Sequence, residues 1–259
     1  LIRPQGGESL KQSKSEFWSG EEYDAQYGNS YVGELSFFQE LISHQKVSSL
    51  LDVCCGTGLV TIPLTRNLSH VVGIDFSRSM IDFAKYKSSS ISDIAFYEMD
   101  AADFNLETVF DLIAMTGNAF QAFISDVDFS LMLKNIKSHM HADSLFVFDS
   151  RLPCPQHFET TNGYERWSSY KSPTGENVEV YGLDSRHPQF NNTMLHHVRR
   201  EYENGEQYHS NIELKYRSFD EIVKRLERNG LQLVEYYADW KKTPLTETST
   251  SFVGVVKPL

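Results

Sequence analysis

Apolar residues follow two different patterns along this chain. Up to residue 150, and again after residue 217, short apolar runs alternate with segments whose apolar residues recur at helical spacing. Between residues 151 and 217, apolar and polar residues alternate, which is typical of antiparallel strands with one buried face. Together the patterns predict an α/β domain with an antiparallel β insert.

The α/β part divides into strands and helices that follow one another at the spacing of βαβ units. Strands are predicted within residues 47–53, 70–77, 94–103, 110–121, 144–149, 231–238 and 251–256. Helices are predicted at residues 35–42, 59–68, 77–86, 126–140 and 218–228. The last two strands are close enough in sequence to pair antiparallel.

The insert contains a strong turn signal, Asn204-Gly205. Its flanks, residues 195–203 and 206–214, alternate as paired strands do, so we predict a long β-hairpin. An Asn-Gly pair favours a type I′ turn, in which both central residues take positive φ.

A glycine turn follows the first core strand. Gly56 and Gly58 allow the backbone to approach a ligand where a Cβ would collide. A Walker loop needs Lys after its second glycine, where this chain has Leu59, and a dinucleotide fingerprint needs Gly or Ala at the position of Thr61. Asp52 would repel a pyrophosphate but suits an ammonium group. The turn is therefore predicted to bind a ligand without phosphate.

Residues 52–58 resemble the first motif of class I S-adenosylmethionine-dependent methyltransferases, of the stand-alone small-molecule type. The segments 70–77, 94–103 and 110–121 resemble the second, third and fourth motifs in order. The resemblance implies that S-adenosylmethionine is the cofactor, that Asp75 binds its ribose and that Asp100 meets its adenine amino group. The cofactor-binding residues expected on this basis are Asp52, Cys54, Gly56, Thr57, Gly58, Asp75, Phe76, Met80, Asp100, Ala101, Thr116, Gly117, Asn118, Tyr23 and Tyr31.

Tyrosines recur every four residues before the first predicted core helix, at Tyr23, Tyr27 and Tyr31. If this segment is helical, the spacing places their rings on one face. Such a face can simply pack on the core. The resemblance implies the alternative that an N-terminal Tyr-rich segment folds over the bound cofactor, and it leaves open which tyrosine does so.

The resemblance covers residues 35–258 and implies the fold. We expect a three-layer α/β sandwich with a seven-stranded, mostly parallel sheet whose last strand is antiparallel, plus the antiparallel β insert after the fifth strand. Residues 1–34 are expected to form an arm and cofactor cover, residues 35–150 and 218–259 the core, and residues 151–217 an acceptor pocket or a dimer contact. Unranked acceptor candidates in the insert are Trp167, Tyr164, Tyr181, His196 and His197, although aromatic strand residues more often serve packing.

The chemistry implied by the resemblance is methyl transfer to a nitrogen or oxygen atom of a small molecule, releasing S-adenosylhomocysteine. Thr116-Gly117-Asn118-Ala119 stands where enzymes that methylate amino groups of nucleic-acid bases carry Asn-Pro-Pro-Tyr or Asp-Pro-Pro-Tyr. No residue is identified as a catalytic base. Two alternatives stay open: an NAD(P)-dependent oxidoreductase, and a non-catalytic protein that binds S-adenosylmethionine to regulate a partner.

The composition of the chain limits which partners, metals and compartments we expect for it. The chain of 259 residues has a formal net charge of −11, which disfavours a nucleic-acid partner. Cys54, Cys55 and Cys154 form neither a disulfide framework nor a metal site, and no apolar run approaches the about 18 residues of a membrane span. We therefore expect a cytoplasmic monomer or homodimer without a metal ion. Because Leu1 is not a methionine, an upstream segment is also expected.

Overall fold

The computed structural model describes residues 12, 13 and 15–259. Most of the predicted N-terminal arm lies outside the described residues. The α-helices are α1 Gly20–Tyr27, α2 Val32–His44, α3 Thr61–Leu64, α4 Arg78–Lys87, α5 Asp126–Ser138 and α6 Phe219–Arg228. The strands are β1 Gln12–Ser13, β2 Ser49–Val53, β3 His70–Asp75, β4 Ile94–Glu98, β5 Phe110–Met115, β6 Met140–Arg151, β7 Glu165–Lys171, β8 Asn177–Arg186, β9 Thr193–Tyr202, β10 Gln207–Lys215, β11 Leu231–Tyr237 and β12 Ser251–Pro258.

The main sheet has seven strands in the order β11-β12-β6-β5-β2-β3-β4. The strands from β6 to β4 pair in parallel, whereas β12 is antiparallel to both β11 and β6. The predicted fold, with its reversed last strand, is confirmed. The chain moves outward from β2 to β4 and then returns to the other side of β2 with β5, so the winding direction changes between β2 and β5. In open α/β sheets, ligands bind at the carboxyl ends of the strands at such a point.

Helices cover both faces of the main sheet. Leu51 and Val53 of β2 point to one face and join a core that includes Phe129 of α5. Leu50 points to the other face and packs in a second core with Phe38 of α2. Because apolar layers lie on both sides, the buried part of β2 from Leu50 to Val53 is apolar on both faces except at Asp52 and does not alternate.

The insert forms a separate sheet in the order β1-β10-β9-β8-β7. Neighbouring strands from β7 to β10 are antiparallel, and β1 joins β10 in parallel. The predicted hairpin is therefore confirmed as β9 and β10, but the type I′ turn is wrong. The amide of Gly205 donates to the carbonyl of Tyr202 (2.9 Å), and Gly205 takes φ +86° while Asn204 does not have positive φ. This is a type I turn followed by a left-handed glycine.

The helix expected at residues 59–68 is shorter than the pattern predicts. It consists of α3 and a following 3₁₀ helix, Thr65–Asn67. Pro63 has no amide hydrogen, so the carbonyl of Leu59 receives no helical bond from it. The amide of Ile62 donates instead to the carbonyl of Gly58 (2.9 Å), which ties α3 directly to the glycine turn.

Neither a membrane-spanning helix nor a metal cluster occurs in the part of the chain that the structure describes. No helix within these residues is both long and apolar enough to cross a bilayer. The same residues contain no group of three or more His, Cys, Asp or Glu side chains placed to hold a metal ion.

Candidate functional site

In the glycine turn after β2, every second residue has a positive φ. Cys54, Gly56 and Gly58 have φ of +61°, +54° and +78°. A Cβ on Gly58 would lie 2.9 Å from Cζ of Phe96, whereas one on Gly56 would meet only Cε1 of Tyr23 at 3.9 Å. Gly58 is therefore required by packing beneath the turn, and Gly56 leaves space above it.

The two glycines provide a matched test of this geometry. Gly56→Ala and Gly58→Ala both force alanine into the left-handed region, which costs about 1–2 kcal/mol. Only Gly58→Ala also overpacks Phe96, so it should lower the free energy of unfolding by about 1–3 kcal/mol more than Gly56→Ala does. Urea denaturation of the two variants measures the difference. Equal losses would contradict the close contact below Gly58.

Asp75, at the end of β3, is fixed beside this turn. Its Oδ2 accepts a hydrogen bond from the amide of Gly56 (2.9 Å), and its Oδ1 accepts one from the amide of Ser77 (2.8 Å). Burial raises the pKa of this carboxyl above its ordinary value, against the effect of the two amides. A carboxylate has about four acceptor positions, so two remain for a ligand.

Asp52 lies under the turn and is almost completely buried. Its Oδ2 accepts a hydrogen bond from Oγ1 of Thr61 (2.5 Å), and its Oδ1 has no hydrogen-bond partner among the described residues. Burial raises the pKa of Asp52 to about 7. The unpaired oxygen is a buried acceptor that a cationic or hydrogen-bonding ligand group would satisfy.

The other predicted residues at the ends of β3 and β4 differ in exposure. Asp100 is exposed, and its Oδ1 accepts a hydrogen bond from the amide of Ala102 (2.8 Å). Phe76 is also exposed and packs edge-on against Phe17, with 5.8 Å between ring centroids. By contrast, Ala101 is buried next to Asp100, and Met80 is completely buried in the first turn of α4.

The loop after β5 contains consecutive left-handed residues, Gly117 (φ +70°) and Asn118 (φ +59°), after the buried Thr116. The amide of Asn118 donates to Oδ1 of Asp149 (3.0 Å), the acid near the end of β6. Burial raises the pKa of Asp149 to about 7. Sequence reasoning missed Asp149, although it carries the same signal as Asp75, an acid at a strand end.

Two tyrosines connect these two loops. The hydroxyls of Tyr23 and Tyr31 are 2.9 Å apart. Tyr23 lies over Gly56, and the Tyr31 hydroxyl would be 3.1 Å from a Cβ on Gly117. Burial raises the pKa of Tyr31 to about 12 and that of Tyr23 further, so both hydroxyls stay protonated at neutral pH.

The tyrosines do not share one helical face as their spacing suggests. Tyr23 and Tyr27 belong to α1, and their tilted rings pack with 4.7 Å between centroids, but α1 ends there and Tyr31 is the residue before α2. The chain turns at Gly28, and this turn brings the Tyr31 hydroxyl back to Tyr23.

Asp24 holds α1 against the glycine turn. It accepts a short hydrogen bond from Oγ1 of the completely buried Thr57, and it forms an ion pair with Lys87 of α4. Sequence reasoning missed this contact because Asp24 and Thr57 are 33 residues apart and neither belongs to a shared motif. Asp24 therefore holds α1, which carries Tyr23, against the glycine turn that Tyr23 covers.

The insert candidates lie on opposite faces of the second sheet. His196 pairs with Asp184 on one face, with Nδ1 and Oδ1 2.7 Å apart, and Trp167 covers Gly182 on that face. The successive residue His197 points to the other face, where Nδ1 lies 2.9 Å from Oδ1 of Asn211. Tyr164 and Tyr181 both pack against the guanidinium of Arg199.

A mostly parallel sheet with a reversed last strand, a glycine turn of positive φ after its first core strand, and acids at the following strand ends are the features of the class I S-adenosylmethionine-dependent methyltransferase fold. Residues 50–143 match the family model described as a methyltransferase domain. The resemblance found in the sequence is confirmed, and S-adenosylmethionine is the cofactor of this class.

The curated relatives match less than half of this chain. Malonyl-acyl-carrier-protein O-methyltransferase of Bacillus cereus is 28% identical over 118 residues, which are 45% of this chain and 42% of that enzyme. The chain spans about half the length of the curated relatives it matches.

Two solved structures extend the comparison to the insert. A methyltransferase from Clostridium acetobutylicum has a TM-score of 0.78 at 17% identity, covering 91% of this chain and 96% of its own. The sugar N-methyltransferase KedS8 of a Streptoalloteichus species has a TM-score of 0.71 at 20% identity, and the match covers 98% of this chain and 99% of that enzyme. At these identities the likeness shows the fold.

Proposed function

We propose that this protein transfers a methyl group from S-adenosylmethionine to a nitrogen or oxygen nucleophile of a small molecule. The observation that carries the proposal is the tyrosine pair across the switch point of the sheet. Tyr23 lies over Gly56 and Tyr31 over Gly117, and their hydroxyls meet. A ligand at the carboxyl ends of β2 and β5 would lie beneath this cover.

The residues at these strand ends fit the cofactor. Asp75 has two acceptor positions left, which would serve two ribose hydroxyls, and the exposed Asp100 would accept from the adenine amino group. The unpaired Oδ1 of Asp52 suits the ammonium group of the amino-acid part. When bound, the cofactor supplies a methyl group already activated on a sulfonium. The protein's own contribution is to hold the acceptor in line with that methyl and to exclude water.

A small molecule is the acceptor class that the surroundings favour. The cover is built from Tyr23 of α1 and from Tyr31 just before α2, which lie over the two loops at the ends of β2 and β5. The net charge of −11 is unsuited to a phosphate backbone. The similarity to KedS8 extends through the insert, and the name of that enzyme gives a sugar amine as its acceptor. We therefore take an amino sugar as the first acceptor to test, with hydroxyl acceptors as the alternative.

A transfer assay tests the proposal. The protein is incubated with methyl-labelled S-adenosylmethionine and, separately, with glucosamine, galactosamine, their neutral parent sugars and a nucleic-acid substrate. We expect release of S-adenosylhomocysteine in equal amounts with a methylated small molecule. Asp82→Asn serves as the active control, because Asp82 is an exposed residue of α4. Transfer only to the nucleic acid, or none above the rate without acceptor, would contradict the proposal.

Cofactor binding should release a proton below about pH 7. Burial holds the pKa of Asp52 at about 7 in the free protein, so its carboxyl is mostly protonated below that pH. A neighbouring ammonium favours the carboxylate and lowers this pKa. The affinity should therefore rise by up to about tenfold per pH unit as the pH approaches 7 and level off above it.

Isothermal titration at about pH 6 in buffers of different ionisation enthalpy measures the released proton. In the wild type the observed heat should change with the buffer. Asp52→Asn should bind more weakly, with a heat that no longer depends on the buffer. A variant that keeps the buffer dependence would show that the proton comes from another group.

A further inference from the structure

His196 on β9 is oriented by a carboxylate on the neighbouring strand. His196 and Asp184 are direct partners in the antiparallel register, and Nδ1 lies 2.7 Å from Oδ1. An ionised carboxylate only accepts hydrogen bonds, so the neutral imidazole carries its hydrogen on Nδ1. The lone pair then lies on Nε2, which is buried and has no hydrogen-bond partner among the described residues. A histidine held in this way is prepared to take a proton.

This pair lies on the face of the insert sheet that is turned toward the covered site. Side chains alternate along β9, so His196 and Arg200 share a face. Arg200 donates to Oε1 of Gln26 in α1 (3.1 Å), the helix that carries Tyr23. The far end of β10 reaches the loop after β5, where Lys215 donates to the carbonyl of Ile124 (3.1 Å). Along β9, His196 therefore lies between the strand end that contacts α1 and the strand end that lies beside the loop after β5.

Trp167 forms an apolar wall beside His196. A Cβ on Gly182 would lie 1.8 Å from Cζ2 of Trp167, so the indole occupies the side-chain position of that glycine. Because Gly182 and Asp184 alternate onto the same face, Trp167 lies on the face of His196, with 6.2 Å between their ring centroids. The indole is 44% exposed, so part of its ring is free to contact a ligand.

A second polar side chain without a partner among the described residues lies in the segment that follows Asn118. Gln121 belongs to the 3₁₀ helix Ala119–Ala122, which packs against β10. Its side chain is almost completely buried, and neither amide atom has a partner within residues 15–259. An unsatisfied buried polar group costs about 1–3 kcal/mol, which a hydrogen-bonding ligand would offset.

We infer that His196 is the general base for methyl transfer, that Asp184 is its positioning residue, and that the acceptor carries at least one further polar group, which pairs with Gln121. The inference rests on the proposed function. Nε2 of His196 takes the proton from the acceptor N–H or O–H while the freed electron pair of that atom bonds to the methyl carbon. The electrons of the broken carbon–sulfur bond stay on sulfur, which becomes a neutral thioether, and S-adenosylhomocysteine leaves. The positive charge moves to the imidazolium of His196, where it lies beside the carboxylate of Asp184. His196 later gives the proton to water.

Kinetics of matched variants test the catalytic role. His196→Gln should lower kcat for the acceptor identified by the transfer assay by about 100-fold or more, with little change in the KM for S-adenosylmethionine. His197→Gln is the control, because His197 is the adjacent histidine on the opposite face. Asp184→Asn should also lower kcat, and Asp184→Glu should restore part of it. A His196→Gln enzyme with kcat within about threefold of wild type would overturn the inference.

A second readout needs no acceptor. Long-range nitrogen–proton NMR of the protein saturated with S-adenosylhomocysteine should show His196 as the Nδ1–H tautomer, and Asp184→Asn should change it. The Nε2–H tautomer in the wild type would overturn the inference even if the protein is an active methyltransferase. If the tautomer is as expected but no acceptor in the panel releases S-adenosylhomocysteine, the proposed function fails, and the catalytic role of His196 fails with it.

Discussion

Asp75→Ala should lower the affinity for S-adenosylmethionine at least about 100-fold, because hydrogen bonds from two ribose hydroxyls to a carboxylate contribute about 1.5–3 kcal/mol each. The same variant leaves the amides of Gly56 and Ser77 without their acceptor. Each unsatisfied buried donor costs about 1–3 kcal/mol, so the free energy of unfolding should fall by roughly 2–6 kcal/mol. Isothermal titration and urea denaturation measure the two effects.

Asp75→Asn separates binding from folding. Its side-chain oxygen can still accept from one of the two amides, so it should lose about half as much stability as Asp75→Ala and still bind weakly. Asp82→Asn is the matched control, since Asp82 is an exposed acid on α4 whose Oδ2 lies 3.6 Å from Nε of Arg78. A folded Asp75→Asn protein with wild-type affinity would show that Asp75 is a structural anchor of the turn and not a cofactor ligand.

Arg200→Met should lower the free energy of unfolding by about 3–5 kcal/mol, because it leaves the carboxylate of Glu16 buried without its cation. Arg200 is 3% exposed and holds Glu16 through two hydrogen bonds, one of 3.0 Å from Nη1 and a shorter one from Nη2. Ser210 also donates to Glu16. The pair connects the insert to the segment before α1. Urea denaturation of the variant measures the loss.

The double variant Glu16→Met with Arg200→Met should recover more than half of this loss, since replacing both members of a buried pair by apolar residues is often nearly neutral. Arg199→Met is the control: Arg199 points to the opposite face, and its loss should be about 1 kcal/mol. If the double variant is as unstable as Arg200→Met alone, an unpaired Glu16 is not the cause. Because α1 carries Tyr23, Arg200→Met should also weaken cofactor binding.

The parts of the fold that the sequence predicts correctly depend on local signals. Buried parallel strands are apolar runs, and a ligand turn needs glycines, so β2 and the turn from Gly56 to Gly58 are visible in consecutive residues. Asp75 follows the next strand and is predictable for the same reason. The reversed β12 follows from the short connection after β11.

The features that sequence reasoning missed depend on contacts between distant segments. Asp24 reaches Thr57, and the amide of Asn118 reaches Asp149, only because the fold brings their elements together. Alternation alone places His196 and His197 on opposite faces, but it does not say which face is turned inward. The packing of Arg200 against α1 decides that question.

The hairpin turn and the tyrosine cover show how a local rule can mislead. Asn204-Gly205 favours a type I′ turn, yet an additional residue in the loop gives a type I turn with Gly205 alone in the left-handed region. The four-residue spacing of the tyrosines suggests one helical face, yet a helix end at Tyr27 separates them into two helices. In both cases the extent of the element, rather than its type, is what the pattern leaves undetermined.

The central claim is that the covered site at the carboxyl ends of β2, β3 and β5 binds S-adenosylmethionine. Isothermal titration of the purified protein with S-adenosylmethionine, S-adenosylhomocysteine and NADH tests it most directly. We predict that both sulfur compounds bind at one site per chain and that NADH does not compete with them. Binding of NADH, with no heat from either sulfur compound, would contradict the account and favour a nicotinamide-dependent oxidoreductase.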